Sequence, residues 1–93
     1  MSKELDQVVR QQLARLLLPA GWAAELTKLL MRIEDASTPM NCLMAQERVE
    51  GVIQGLELAR ALDMATIERL YLLTANAADG RLRQLQYDDP SLG

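Results

Sequence analysis

The sequence has no histidine, no phenylalanine, one cysteine, one tryptophan and two tyrosines among its 93 residues. Without histidine and with a single cysteine, the usual zinc and iron–sulfur ligand sets are out of reach. Catalysis by a hydroxyl or thiol nucleophile also lacks its customary base. Cys42 has no partner for an intrachain disulfide, which fits a reducing compartment. Three aromatic rings are too few for a platform that stacks single-stranded bases. The opening residues MSKELDQVVRQQ hold no uninterrupted greasy stretch, so no secretory signal is expected and the chain is placed in the cytoplasm. No run approaches the roughly 18 apolar residues of a membrane span. The glycines are scattered and none precedes a Lys-Ser or Lys-Thr pair, so no phosphate loop is expected. A formal charge of −3 gives no electrostatic footprint for phosphate backbones, and nucleic-acid binding is disfavoured. Carboxylate neighbours such as Glu34-Asp35 point apart on a helix and read as solvated surface. No catalytic, cofactor-binding or metal-binding residue emerges, and the chain is not expected to be an enzyme.

What is present is an abundance of Leu, Ala, Glu, Arg and Gln, with apolar residues making up 49% of the chain. These are helix formers, and no alternating run suggests a strand. The fold class expected is all-α: a small bundle of four helices at about 2–18, 22–34, 39–62 and 64–86, forming one domain over 1–86 with a flexible tail at 87–93. Ser2 is the candidate cap of the first helix, which carries the Asp6–Arg10 pair and ends at Pro19 and Gly21. The second places Trp22, Leu26, Leu29, Leu30 and Ile33 on one face. Ser37, Thr38 and Pro39 mark the start of the third. Asp63 is a turn residue able to cap the fourth helix. Gly80 offers that helix a stop, but Leu82 and Leu85 keep the phase of Tyr71, Thr74 and Ala78, and the reading takes it on to Gln86.

The stretch GVIQGLELA, residues 51–59, asks for an explanation, because a glycine inside a helix costs roughly 1 kcal/mol relative to alanine. Gly51, Gly55 and Ala59 fall four residues apart and form a ridge almost without side chains, flanked by Val52 and Leu56. Such a ridge lets a second helix approach closely, whether the fourth helix of the same chain or the third helix of another copy. A third helix of about 36 Å is longer than three short partners cover, and twofold dimers are the commonest assembly. A homodimer is therefore expected. Met31, Met40, Met44 and Met64 read as core filling, with an adaptable binding surface as the alternative. Trp22 either anchors its helix to the core or stands partly exposed as a contact, and Arg48 and Arg69 join it as candidate partner contacts.

LARALDMATIERL superficially looks like a helix-turn-helix unit around Asp63. Ala59 and Asp63 fill its first two special positions, but the third, which should be apolar, is Arg69. The wider segment RVEGVIQGLELARALDMATIERLYLLTANA resembles a recurrent arrangement in small proteins of bacteriophages and prophages. It is carried by Arg48, Glu50, Gly51, the Leu56–Ala59 stretch, Glu68, Arg69 and Leu70. The resemblance implies an accessory factor that binds and inhibits a host protein, as anti-CRISPR proteins do, or one that regulates phage genes. The expectation is a non-enzymatic inhibitor that occupies a host protein. The alternatives are a DNA-binding regulator and a self-associating assembly protein.

Overall fold

The computed structural model describes residues 11–14, 16, 18 and 20–88. Among them are four helical segments and no strand: α1 at residues 11–14, α2 at Ala20–Glu34, α3 at Pro39–Leu58 and α4 at Met64–Asp88. The fold is a small all-α bundle, and α2, α3 and α4 each pack against the other two. The Ser2 cap and the Asp6–Arg10 pair lie outside the described residues, as do residues 89–93.

In α2 the apolar residues recur with helical spacing, and Leu26, Leu29, Leu30 and Ile33 are buried while Glu25, Lys28 and Arg32 face solvent. Buried Thr27 stays on this face because its hydroxyl donates to the Ala23 carbonyl, 2.8 Å away, so no polar group is left unpaired. Leu13 of α1 joins the same core.

The turn into α3 is fixed at three points. Thr38 is the N-cap, with extended backbone and a side-chain oxygen that accepts the Asn41 N–H at 3.0 Å. Pro39 follows in the first turn, where its missing N–H is harmless. From α4, the Arg81 guanidinium donates through Nε to the Ala36 carbonyl at 2.8 Å. That bond satisfies a carbonyl just beyond the end of α2 and clamps the turn to the far helix.

Helix α3 ends at Leu58, four residues short of the expected Leu62. The Arg60 N–H bonds the Glu57 carbonyl, and the Ala61 N–H reaches back to that of Leu56, both at 3.0 Å. This is a Schellman stop, with Arg60 in the left-handed region at φ 53° where glycine is usual. The missing glycine hid the stop from the sequence. Leu62 leaves the helix and packs half-buried against the core.

Asp63 caps α4, accepting the Thr66 N–H at 2.8 Å. Helix α4 runs through Gly80 as expected, and two residues beyond Gln86. Ile67, Leu70, Thr74 and Ala78 are buried, and the Thr74 hydroxyl donates to the Leu70 carbonyl at 2.8 Å. Cys42 on α3 is wholly buried with Sγ 3.7 Å from the Ala78 carbonyl, and burial pushes its thiol up from the ordinary value. It packs as a small apolar residue.

Glu34 is half-buried at the end of α2, in contrast to the exposed Asp35 beside it. Desolvation raises its carboxyl above the ordinary 4.5, opposed by the nearby Arg81 charge and assisted by Asp35. Asp63 is lowered from 3.8, first by its side-chain hydrogen bond with Thr66 and then by the Thr66 backbone N–H.

Two measurements check these assignments. Arg60→Gly is expected to stabilise the fold by roughly 1 kcal/mol in denaturant titration, since glycine removes the left-handed strain at the cost of a freer unfolded chain. A carboxyl-resolved NMR titration is expected to place Glu34 above 4.5 and Asp63 below 3.8. Because folded Glu34 holds its proton more tightly than the unfolded chain does, its contribution favours folding at low pH and is lost as pH rises through its folded value. Depressed Asp63 runs the other way: its stabilisation is present above 3.8 and fades as pH falls through the folded value.

Candidate recognition surface

At about 100° per residue, the buried members of α3 (Cys42, Val49, Ile53 and Leu56) fall within roughly 60° of one another around the helix. Half a turn away stand Met40, Met44, Gly51 and Leu58, all exposed. α3 is thus packed on one side and shows its other side to water. On α3 that outer side is mostly apolar or bare. Met40 is 66% exposed, Met44 61% and Leu58 85%, with Leu43 at 47% on the edge. Glu47, Arg48 and Gln54 are its polar members.

The glycine ridge lies on this outer side. Gly51, Gly55 and Ala59 are exposed, and a Cβ built on either glycine meets nothing within 4 Å. Packing of the ridge inside the chain, one of the two explanations the sequence offered, is therefore wrong. α4 meets α3 where Cys42 lies against the Ala78 carbonyl and Glu57 accepts from Tyr71, a side that the ridge does not face. The residues expected to flank the ridge divide in the same way. Leu56 is in the core of its own chain and Val52 is half-buried against it, so neither lines an outer seam.

Of the candidate contact residues, Arg48 shares the outer face of α3 with Gly51 and Gly55. Trp22 on α2 and Arg69 on α4 are exposed on other helices, and no hydrogen bond or ion pair among the described residues links the three. Trp22, 39% exposed, takes the second of its two readings and is no core anchor. The core-filling reading of the methionines is also corrected: Met40, Met44 and Met64 are exposed, and Met31 alone of the four packs on the core. The sequence reading counts Met40 and Met44 as core filling and assigns no role to Leu43 or Leu58. The available signal was the 4-3-4-3-4 spacing of residues 40, 44, 47, 51, 54 and 58, a second face distinct from the one through Val49 and Ile53.

One edge of the face is acidic. Glu47 is exposed, and further round Glu50 accepts a 3.3 Å bond from Gln46 Nε2 while the Tyr71 hydroxyl donates to Glu57 at 3.5 Å. Desolvation, with Glu57 and Glu50 nearby, raises the Tyr71 phenol from its ordinary value. The opposite edge carries Arg48. None of these groups forms a nucleophile–base pair, so the chemistry available to the face is contact: apolar burial interrupted by Glu47 and Gln54, with Arg48 towards one edge.

Set against protein-family models, curated proteins and solved structures, the chain matches none. Gly51→Ala and Gly55→Ala are each expected to stabilise the dilute protein by about 1 kcal/mol in thermal or denaturant unfolding, because the added methyls meet open space and helix propensity improves. Loss of stability in either variant would mean that something already covers the ridge.

Proposed function

We propose that the protein is a small, non-catalytic accessory protein of the phage or mobile-element kind. It acts in the bacterial cytoplasm by occupying a surface of a host protein and inhibiting it sterically. The observation that carries this reading is the outer face of α3, where Met40, Leu43, Met44 and Leu58 stand exposed around two bare glycines. Exposed apolar area of this kind, rimmed by charge and set on a rigid helix, suits recognition of another protein. Trp22 and Arg69 supply possible secondary contacts. The same face supports self-association into a homodimer.

The DNA-binding reading draws less support. Ala59 and Arg69 both face solvent, so the small residue and the third special position of a helix-turn-helix are not packed between its helices. Among the described residues, no helix is long and apolar enough to cross a membrane.

Affinity capture from a bacterial lysate, followed by mass spectrometry, is expected to return one stoichiometric host protein. Met44→Glu and Leu58→Glu should each abolish that capture while leaving the circular dichroism spectrum unchanged, since both side chains lie outside the core. Capture that survives both substitutions would refute the assignment of the face. Salt-sensitive mobility shifts of DNA would point instead to a regulator, and large homo-oligomers without a foreign partner to an assembly protein.

A further inference from the structure

We infer that the chain exchanges α4 with a second copy of itself: the turn at residues 59–63 straightens, α3 and α4 join into one helix, and each α4 packs on the other copy's α3. The exchange leaves the outer face of α3 uncovered, so it stands independently of the recognition role proposed for that face.

The turn carries the first argument. Arg60 sits in the left-handed region at φ 53°, where a side chain is strained and glycine is usual. No glycine or proline lies between Leu58 and Asp63 to hold the chain in a turn, and Ala59, Arg60, Ala61 and Leu62 are all strong helix formers. A short, strained hinge of such residues invites exchange of the element beyond it.

Phase carries the second. Val49, Ile53 and Leu56 of α3 and Ile67, Leu70 and Thr74 of α4 are all buried. They fall on one alternation of four- and three-residue steps, at positions 49, 53, 56, 60, 63, 67, 70 and 74, in which Arg60 and Asp63 alone are exposed. Two helices joined by a turn need not keep a common phase. These do, so straightening the turn brings both buried stripes onto one side of a single helix.

A lone open chain would show both stripes to water, and two open chains cover them. The α4 of each copy takes the place that the other's own α4 has left. Cys42 against the Ala78 carbonyl, Tyr71 against Glu57 and Arg81 against the Ala36 carbonyl are then remade between chains. What the exchange loses is confined to the hinge. The Asp63 cap on the Thr66 N–H, the bonds of Arg60 and Ala61 to the end of α3, and the half-buried packing of Leu62 belong to the closed form. These losses keep the closed monomer predominant in dilute solution, and mass action favours the exchanged dimer as concentration rises.

Protein refolded from denaturant at about 10 μM and at about 1 mM, then resolved by size-exclusion chromatography with light scattering, should show a dimer at the higher concentration only. Met64→Pro is the decisive variant. Met64 is the first residue of α4, where proline is tolerated, but a joined helix would hold that proline in its interior. The association constant should fall at least about a hundredfold while the monomer keeps its melting temperature. Arg60→Gly, which relieves the turn and weakens the joined helix, should lower the constant about tenfold or more. Asp63→Ala, which removes a cap found only in the closed form, should raise it by about as much. Covalent capture reports the exchange itself, because Ala78→Cys sets a second thiol beside Cys42. After oxidation, the dimer fraction should run as a linked dimer on a denaturing gel and the monomer fraction as a single chain. The wild type, and Ala78→Cys combined with Cys42→Ala, should not link. Should the buried pair resist oxidation, Met64→Pro decides alone. A dimer whose disulfides all lie within single chains, a dimer indifferent to Met64→Pro, or a wild type still monomeric at about 1 mM would each overturn the proposal. Failure to capture a host protein would bear on the recognition reading alone.

Discussion

Among the described residues α2 and α4 lie against α3, and its buried side carries Cys42, Val49, Ile53 and Leu56. The opposite side of α3 faces water whatever residues it holds. An ordinary solution fills such a side with charge and strong helix formers. Here it holds methionines, leucines and two glycines beside Glu47, Arg48 and Gln54, and more exposed large apolar side chains gather on it than on α2 or α4, which show Trp22, Met64 and Leu72. The other helices follow the local rules more closely: α2 turns Glu25, Lys28 and Arg32 outwards, and α4 carries an exposed Arg83–Asp79 pair at 2.8 Å in the i, i+4 relation. Sequences that specify a fold tend to break such rules where function demands it, and the breaches gathered on one side of α3 are what supports the recognition role proposed for it.

Much of this was legible before any coordinates. The periodicity of Leu26, Leu29, Leu30 and Ile33 and the signals at Thr38, Pro39 and Asp63 were sufficient for the all-α fold and for two of its junctions, because caps and apolar stripes act locally. The end of α3 was not legible, since a Schellman stop usually advertises itself with glycine and this one uses Arg60. The side on which the glycines lie was harder still. Helical spacing says that Gly51, Gly55 and Ala59 share a face, but both faces of α3 are apolar enough to pass for the core. Only the positions of α2 and α4 separate them, and that information is tertiary. The methionines misled for the same reason: Met40 and Met44 join the inner residues in composition and part from them in direction.

The devices that end α3 also set the direction of the face. At its N-terminus the Thr38 cap and Pro39 fix the direction in which α3 begins, while Arg81, bonded to the Ala36 carbonyl, holds the preceding turn against α4. At its C-terminus the paired bonds from Arg60 and Ala61 stop the helix at Leu58, and the Asp63 cap starts α4 five residues on. Leu58, the most exposed of the large apolar side chains, is therefore the last residue of a helix secured at both ends. A surface carried by a frayed helix would have to be ordered on binding, at about 1–2 kcal/mol of backbone entropy per residue. One that is already ordered spends little of its modest contact area on that cost. The left-handed strain at Arg60 follows the same logic, since letting the helix run on to Leu62 would pull that side chain off the core and lengthen the exposed stripe beyond the point where the Schellman bonds anchor it.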